Sequence, residues 1–555
     1  MLAHLLVTSL LSAAPAPKAA PLSAAEKAAS AKVSAAALEA HTRFLSDDLL
    51  EGRLPGTRGD ELAVQYVAAQ FRAYGLEPGG EGGTYFQKVP MVGMEVKPPP
   101  SVTFAPPAGK TAAPLSFSVG KDMVVSAGNQ TGEAKLDAAE VVFVGYGIVA
   151  PEYQWDDFKD VDVKGKVLLV MNNDPSSDPA LFAGKTRLWY GRWDYKYWQA
   201  AKKGAAGVII IHTEPSAAYP WKVVVNSWGV NERFELPAAP DEPRLQARGW
   251  ATEDASRAIA RLGGQDLDQL RAAAEKRDFR PVPLGVKVSL AFKNGVRRME
   301  SENVIGRVPG SDPKLKEEVV VFTAHHDHLG KRAGAPGEDT IYNGALDNAS
   351  GTATLLELAR VAAMEKPKRT LLFIAVTAEE QGLLGSEWYA RHPTVPVGKI
   401  AADLNIDSIN KDGKTLDLGF IGYGKSSLDG VVEGLAKAQG RTVKGDPFPE
   451  RGGFYRSDQF SFARVGVPGI YLHGGPTYAG RPADWGEQQE NEYILKHYHQ
   501  PSDEVDASWS WAGAVEDTQL LLLAGLRIAN DPKMPEWKPG DEFEAARKKA
   551  LAEAR

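Results

Sequence analysis

The sequence predicts an α/β fold with a largely parallel sheet covered by helices on both faces. Three observations carry this expectation. From Glu300 onward, continuous apolar runs (EEVVVFTA, RTLLFIAVTA, KIAADLNI, GVPGIYLHG) alternate with helical stretches such as SGTATLLELARVAAME. The runs are unbroken rather than alternating, which marks strands buried on both sides. Acidic residues and histidines follow directly after these runs, and open α/β sheets gather their ligands outside the carboxyl ends of the strands.

The remaining chain is read in order. Its 555 residues exceed one ordinary core and suggest two to four domains. Hydrophobic residues make up 43% and charged residues 24%, a normal soluble composition. A net charge of −7 lacks the basic stripe of a nucleic-acid binder, so no nucleic-acid partner is expected. With no cysteine, disulfides, thiolate zinc sites and a cysteine nucleophile are excluded. An apolar run from Leu5 to Leu11 precedes Ala14-Pro15-Ala16 and reads as a signal peptide over residues 1–16, hence a secreted or periplasmic protein. Residues 17–38 read as an Ala/Pro-rich linker. No later run of 18 apolar residues occurs, so no membrane span is expected. Within 39–115, Leu62, Tyr66, Val67, Phe71 and Tyr74 recur at near-helical spacing, and Gly75 follows as a stop. From 116 to 295 the character changes to short strands such as VVFVGYGIV and KVLLVMNN, and YWQAAKKGAAGVIIIH reads as helix, turn and strand. The tryptophans here (Trp155, Trp189, Trp193, Trp198, Trp221, Trp228) are read as packing residues. Residues 296–535 form the α/β core, and the charged stretch 536–555 is read as a solvated helix.

The stretch TAHHDHLG, residues 323–330, sets His325, His326, Asp327 and His328 side by side. Extended backbone puts His325 and Asp327 on one face and His326 and His328 on the other, leaving open which face meets a site. Glu379 and Glu380 follow the second strand and Asp407 the third; Asp347 precedes a helix, and His499 lies in the loop HYHQPSDEVD. Singly, these are a solvated turn, a helix cap and a surface histidine. Asn348-Ala349-Ser350 matches a glycosylation pattern and is discounted as chance. Together they offer imidazole and carboxylate ligands, which suit zinc, and also manganese or cobalt. Two metals about 3.5–4 Å apart need a bridging carboxylate and about two further ligands each. A further unligated carboxylate must accept a proton from the attacking water.

The stretches SENVIGRVPGS, VVVFTAHHDHLG, YNGALDNASGTATLLELAR, FIAVTAEEQGLLGSEWYA, NIDSI, RSDQFSFARVGVPGIYL and YHQPSDEVD resemble the co-catalytic di-zinc aminopeptidases. That metallopeptidase family also holds glutamate carboxypeptidases and glutaminyl cyclases. Order and spacing agree from residue 300 to about 510, and FLSDDLLEGRLPGTRGDELAVQYVAAQF resembles the family's N-terminal helix. FVGYGIVAPEYQWDDF and KKGAAGVIIIH resemble an inserted, β-rich protease-associated domain. The resemblance implies a three-layer α/β/α core and a secreted aminopeptidase acting on peptides with a free N-terminus. It implies two zinc ions, one held by His325, Asp347 and Asp407, the other by Asp347, Glu380 and His499, with Asp347 bridging. Glu379 is then the general base and Asp327 orients His325. Phe454, Tyr455 and Asp458 are read as neighbours of the specificity pocket or as packing residues. The competing readings are a carboxypeptidase or glutaminyl cyclase on the same metal site, and a non-enzymatic binding protein of the same fold. No cluster of basic residues that would hold a C-terminal carboxylate is readable, and the oligomeric state is open.

Overall fold

The computed structural model describes residues 21–179, 181–228, 232–446 and 448–554, so the signal-peptide reading lies outside the described residues. Two helices, α1 (Ala35–Leu45) and α2 (Arg58–Ala73), open the core. The second matches the periodicity of Leu62 to Tyr74, with Thr57 accepting from the Asp60 amide at its start. Strand β1 (Phe86–Val96) follows and pairs antiparallel with the second half of a 27-residue strand, β2 (Val282–Val308).

Strand β2 is the spine of the molecule. Residues 282–293 pair with strands of the insert, and residues 294–308 pair within the core sheet. One continuous strand therefore belongs to two sheets, which fixes the insert rigidly on the core. The insert is a mixed sheet with helices; residues Gly207–His212 run parallel to both Val167–Met171 and Ala247–Thr252. Its two faces bury separate apolar clusters, one around Phe104, Phe143 and Ile211 and one around Val142, Ile210 and Trp250. Trp155 and Trp228 are buried in these clusters and Trp189, Trp193 and Trp221 pack half-buried against them, as packing residues should, whereas Trp198 is 44% exposed.

The core sheet continues from β2 through β3 (Val319–His325), β4 (Thr370–Val376) and β5 (Ile400–Asn405), with β3 central and parallel to both β4 and β5. The strand Gly469–Gly474 extends it in parallel, Asp417–Ile421 adds antiparallel to that, and Thr442–Lys444 pairs parallel to Asp417–Ile421. The expected largely parallel centre is thus present inside a mixed sheet. Val320, Phe322 and Ala324 point to a cluster with helices Ser350–Ala362 and Trp511–Asn530, while Val319 and Val321 point to the opposite face with Tyr389 and Phe462. Burial on both faces explains why these strands read as unbroken apolar runs.

Two segments differ from their sequence reading. Within the expected linker, Ala24–Ser30 is a helix capped by Ser23 and tied to the core by Glu26, 2.7 Å from Arg527. Low sequence complexity hid the capping box Ser23–Glu26. The charged C-terminal stretch is also not merely solvated: Arg547 is 2% exposed and donates to the Ile400 carbonyl at the start of β5. Among the described residues, no helix is long and apolar enough to cross a membrane.

Candidate metal centre

Strands β3, β4 and β5 end side by side, and their following residues converge. His325, the last residue of β3, is 1% exposed. Its Nε2 has no hydrogen-bond partner and faces Asp347 Oδ1 at 3.3 Å, Asp407 Oδ1 at 3.5 Å and Glu379 Oε2 at 3.9 Å. The other oxygen of Asp347 faces His499 Nε2 at 3.3 Å, and Glu380 Oε2 is 3.0 Å from the same nitrogen. Every site residue expected from the sequence therefore lies in one buried cluster, with Asp347 between its halves.

Asp347 is held by its backbone. Gly344 turns the chain at φ 54°, and a side chain there would strike the Asp347 carbonyl at 2.3 Å and the His328 ring at 2.5 Å. The Asp503 carboxylate accepts the amides of Leu346 and Asp347, both at 3.1 Å. Asn348, fully buried, donates to the Ile406 carbonyl and accepts from the amides of Gly351 and Ser408. It ties the Asp347 loop to the Asp407 loop, and its burial leaves no room for a glycan.

Asp327 serves the opposite loop. Its carboxylate accepts the Glu379 amide at 3.0 Å and lies 3.4 Å from the Glu380 amide. The expected contact with His325 Nδ1 is 3.7 Å to the carboxylate, whereas the Asp327 carbonyl lies 3.2 Å from that nitrogen. Asp327 thus touches both the histidine and the two glutamates. His326 turns away, with Nε2 on the Glu302 carbonyl. His328 does not share that face: β3 ends at His325, alternation stops, and His328 Nδ1 comes within 2.6 Å of Glu380 Oε1. Asp347 and Glu380 therefore have two histidines at hand. His328 offers a ligand atom within 4.8 Å of both carboxylates, and His499 Nε2 faces them more closely, at 3.3 Å from Asp347 and 3.0 Å from Glu380.

The electrostatics call for a cation. Burial disfavours imidazolium at His325 and His499, yet the crowded carboxylates outweigh it: Glu379 beside His325, and Glu380 beside His499. His325 is driven well above its ordinary pKa and His499 to about 9. Burial raises Glu379 well above the usual carboxylate range, reinforced by Glu380, Asp407 and Asp458 and opposed by His325. Glu380 is instead held at about 2 despite burial, because His499 and His328 face it. A buried nitrogen without a partner, ringed by carboxylates, fits a divalent ion bound by imidazole and oxygen ligands.

Several contributors were not legible beforehand. Arg53 donates from Nε to the His326 carbonyl at 2.8 Å and from its terminal nitrogens to Asn343 at 2.6 Å, Gly344 at 3.1 Å and Leu45. The insert also reaches the site: from its helix Trp221–Trp228, Ser227 Oγ lies 2.9 Å from His499 Nδ1, and Asn226 donates to the His499 carbonyl. No motif near Ser227 signals this; only the fold brings it there. Of the pocket candidates, Phe454 packs on Phe543, Asp458 is buried below the site, and Tyr455 lines a cavity beside Glu379.

Two cavities meet at the centre. One, of about 230 Å³, runs from Asp347 and Asp407 to an apolar wall that includes Ile409, Ile421, Phe448 and Leu521. The other, of about 390 Å³, lies between insert and core and reaches Glu379, Glu380 and His499.

Comparison with known proteins follows the same division. Residues 303–523 match the sequence model of peptidase family M28, and residues 127–239 that of the PA domain. A 112-residue segment, 19% of this chain, is 38% identical to a probable zinc metalloprotease of Pyrenophora tritici-repentis. A 187-residue segment, 33% of this chain, is 27% identical to a vacuolar membrane protease of Candida albicans. The matched segments span about a fifth of those two proteins, 21% of each. The aminopeptidase from Aneurinibacillus sp. strain AM-1 shares the fold, with a TM-score of 0.54 at 21% identity over 92% of this chain and 97% of that one.

Proposed function

The chain belongs to peptidase family M28 and carries an inserted PA domain, and on that premise we propose that it is a secreted zinc-dependent aminopeptidase with two metal ions. The observation that carries this reading is Asp347, whose two oxygens face His325 and His499 at 3.3 Å each. Its geometry supports a bridging carboxylate, with His325 and Asp407 completing one ligand set and Glu380 and His499 the other. Zinc suits these ligands, with cobalt or manganese as substitutes. When bound, the ions would supply a water of lowered pKa and a polarised scissile carbonyl.

The chain's own residues supply the rest. Glu379 sits between the two cavities and is not needed in either ligand set. As general base it takes a proton from the attacking water and returns it to the leaving amine. Asp327 holds the Glu379 amide, so the base stays aimed. The cavity beside Asp407 receives the N-terminal residue, its side chain against the apolar wall and its amine beside the carboxylates. The arrangement favours cleavage one residue from a free N-terminus.

The test is a panel of aminoacyl, N-acetylated and C-terminally blocked peptides, with and without chelator. Chelator-sensitive cleavage confined to free amines is expected. Cleavage of the N-acetylated peptides alone would overturn the aminopeptidase reading. Two predictions concern the metal directly. Asp347→Ala should lower bound zinc from two ions to one or fewer per chain, read by elemental analysis; an unchanged stoichiometry removes the bridging assignment. Ser227→Ala should weaken zinc binding about 10–100-fold, because partners of metal-bound histidines tune affinity by that much, with Ser227→Thr restoring part of it. Equal zinc affinity in wild type and Ser227→Ala would show that the insert does not orient His499.

A further inference from the structure

One helix beside the smaller cavity packs unlike the rest of the core. Trp485–Lys496 buries a single residue of its twelve, Gly486. By contrast, Trp511–Asn530 buries a full face from Gly513 to Ala529. The inward stripe of the first helix is nonetheless regular. Gly486, Gln489, Glu490, Tyr493 and Ile494 recur at the spacing of one helix face, and all five line the cavity that starts at Asp347 and Asp407. That face is turned to open space where other helices meet packed side chains. A helix with few buried contacts opens at little cost, and elements that move over ligands are drawn from such regions.

The helix is anchored at one end and tied at its middle. At its C-terminal end the Tyr493 hydroxyl donates to Asp503 at 3.2 Å and the Ser502 hydroxyl to the Lys496 carbonyl at 2.7 Å. The chain then runs on directly to His499. The middle is tied across the cavity by Arg451, which donates to Glu490 at 3.2 Å and to Asn491 at 2.8 Å. Glu490 also lies 3.8 Å from His473 Nε2. Arg451 is itself held in place. Its guanidinium stacks 3.8 Å over Phe448 of the apolar wall. The insert fixes the same loop through the Arg187 amide, which donates to the Pro449 carbonyl at 2.9 Å. One cation therefore links the insert-held loop, the apolar wall and the helix. The sequence hid this tie, since Arg451 and its partners stand 39 and 40 positions apart.

We infer that helix Trp485–Lys496 is a lid that closes over the substrate's N-terminal residue, and that Arg451 is the positioning residue that holds it shut. The inference rests on the reading above, which seats that residue in this cavity. With the lid shut, Gln489, Tyr493 and Ile494 complete the pocket around the side chain. With it open, the residue enters and the freed amino acid leaves. The latch then governs affinity for substrates that offer a side chain to the lid. It does not govern the chemical step, because its partners are lid residues rather than the metal ligands or Glu379.

The test compares leucyl- and glycyl-p-nitroanilide in wild type, Arg451→Met, Arg451→Lys and Glu490→Gln. Zinc content and circular dichroism confirm an intact fold in each variant. Arg451→Met should raise KM for the leucyl substrate about tenfold, the lower end of what hydrogen bonds to a charged group contribute, with kcat little changed. The glycyl substrate has no side chain for the lid to touch and should show a much smaller rise, so the preference for leucine falls. Arg451→Lys should lie between, since lysine keeps the charge but not the fork. Adding Glu490→Gln to Arg451→Met should change little further, as for two members of one contact. Hydrogen exchange reads the lid itself. Residues 485–496 should exchange faster than 511–530 in wild type, slow with saturating L-leucine, and exchange faster still in Arg451→Met. A KM rise equal for both substrates, or one that tracks lost zinc, overturns the positioning role of Arg451. Exchange at 485–496 as slow as at 511–530, or unaltered by leucine, overturns the lid. Exchange unaltered by Arg451→Met overturns the latch whatever the substrate. Failure of wild type to cleave either substrate would instead count against the aminopeptidase reading, so the two failures are read separately.

Discussion

Glu379→Gln should abolish nearly all peptide hydrolysis while the protein still binds zinc and folds. Glutamine has the same shape, and its backbone amide still donates to Asp327. What it lacks is a basic oxygen for the proton of the attacking water. General-base catalysis contributes about 10²–10⁴-fold, so kcat should fall by that factor with little change in KM. A second effect should accompany it. In the metal-free protein Glu379 is buried against Glu380 and Asp407, and burial alone disfavours its charge. A neutral amide relieves that crowding, so the chelated variant should melt at the same temperature as wild type or higher. Loss of activity with undiminished stability is the mark of a group placed for chemistry at some cost to the fold. The assignment fails if Glu379→Gln retains more than about a tenth of wild-type kcat with full zinc content, or if its inactivity traces to lost zinc.

Why the ligands were readable and their supports were not follows from how each is specified. His325, Glu379, Glu380 and Asp407 follow the ends of apolar strands, and strand ends are visible as a change of hydropathy. Asp347 and His499 came from motif resemblance, since nothing in local periodicity singles out a loop residue. The fate of TAHHDHLG shows the limit of periodicity. Alternation applies only up to His325, where β3 stops: it separates His326 from His325 without saying which of the two faces the site, and it wrongly groups His328 with His326, since His328 lies beside Glu380. The supports are set by tertiary structure alone. Asp503 meets the Asp347 amide across 156 positions, and Ser227 meets His499 across 272. Both are common residues in unremarkable contexts; Asp503 is brought to its partner by the fold of the core itself, and Ser227 by β2, which threads two sheets and holds the insert over the core. The long strand itself was hidden, since a polar stretch around Arg297 interrupts its apolar pattern where it crosses between sheets.

Arg53 is the support whose removal should do most damage to stability. Gly52 before it has φ 71°, and a side chain there would strike the Gly330 carbonyl at 2.5 Å, so the turn is pressed against the core and drives Arg53 inward. Its guanidinium, 1% exposed, donates to carbonyls of Leu45, His326, Asn343 and Gly344. One side chain thereby joins helix α1, the end of β3 and the entry to the Asp347 loop. Burial lowers its pKa to about 10, offset by Asp327, Asp503, Asp347 and Glu380, so it stays charged at neutral pH. Arg53→Met removes this buried cation from among four carboxylates and takes the donor from the carbonyls of Leu45, His326 and Asn343, while Gly344 keeps the Ala349 amide. An unsatisfied buried acceptor costs about 1–3 kcal/mol, and breaking a buried ionic network about 3–5 kcal/mol; relaxation makes these less than additive, so about 3–5 kcal/mol is expected for the core. Arg53→Lys keeps the charge but cannot span four acceptors, and should lose less. Because a chain with two sheets need not unfold in one step, the measurement is hydrogen exchange at residues 343–347 and 326–328, together with zinc affinity by competition. Both loops carry or adjoin ligands, so faster exchange there and weaker zinc binding should appear together, in the order Met, then Lys, then wild type. Arg53→Met with unchanged exchange at these loops, or with unaltered zinc affinity despite faster exchange, would show that the ligand loops are held by other contacts and that Arg53 serves only the packing of α1.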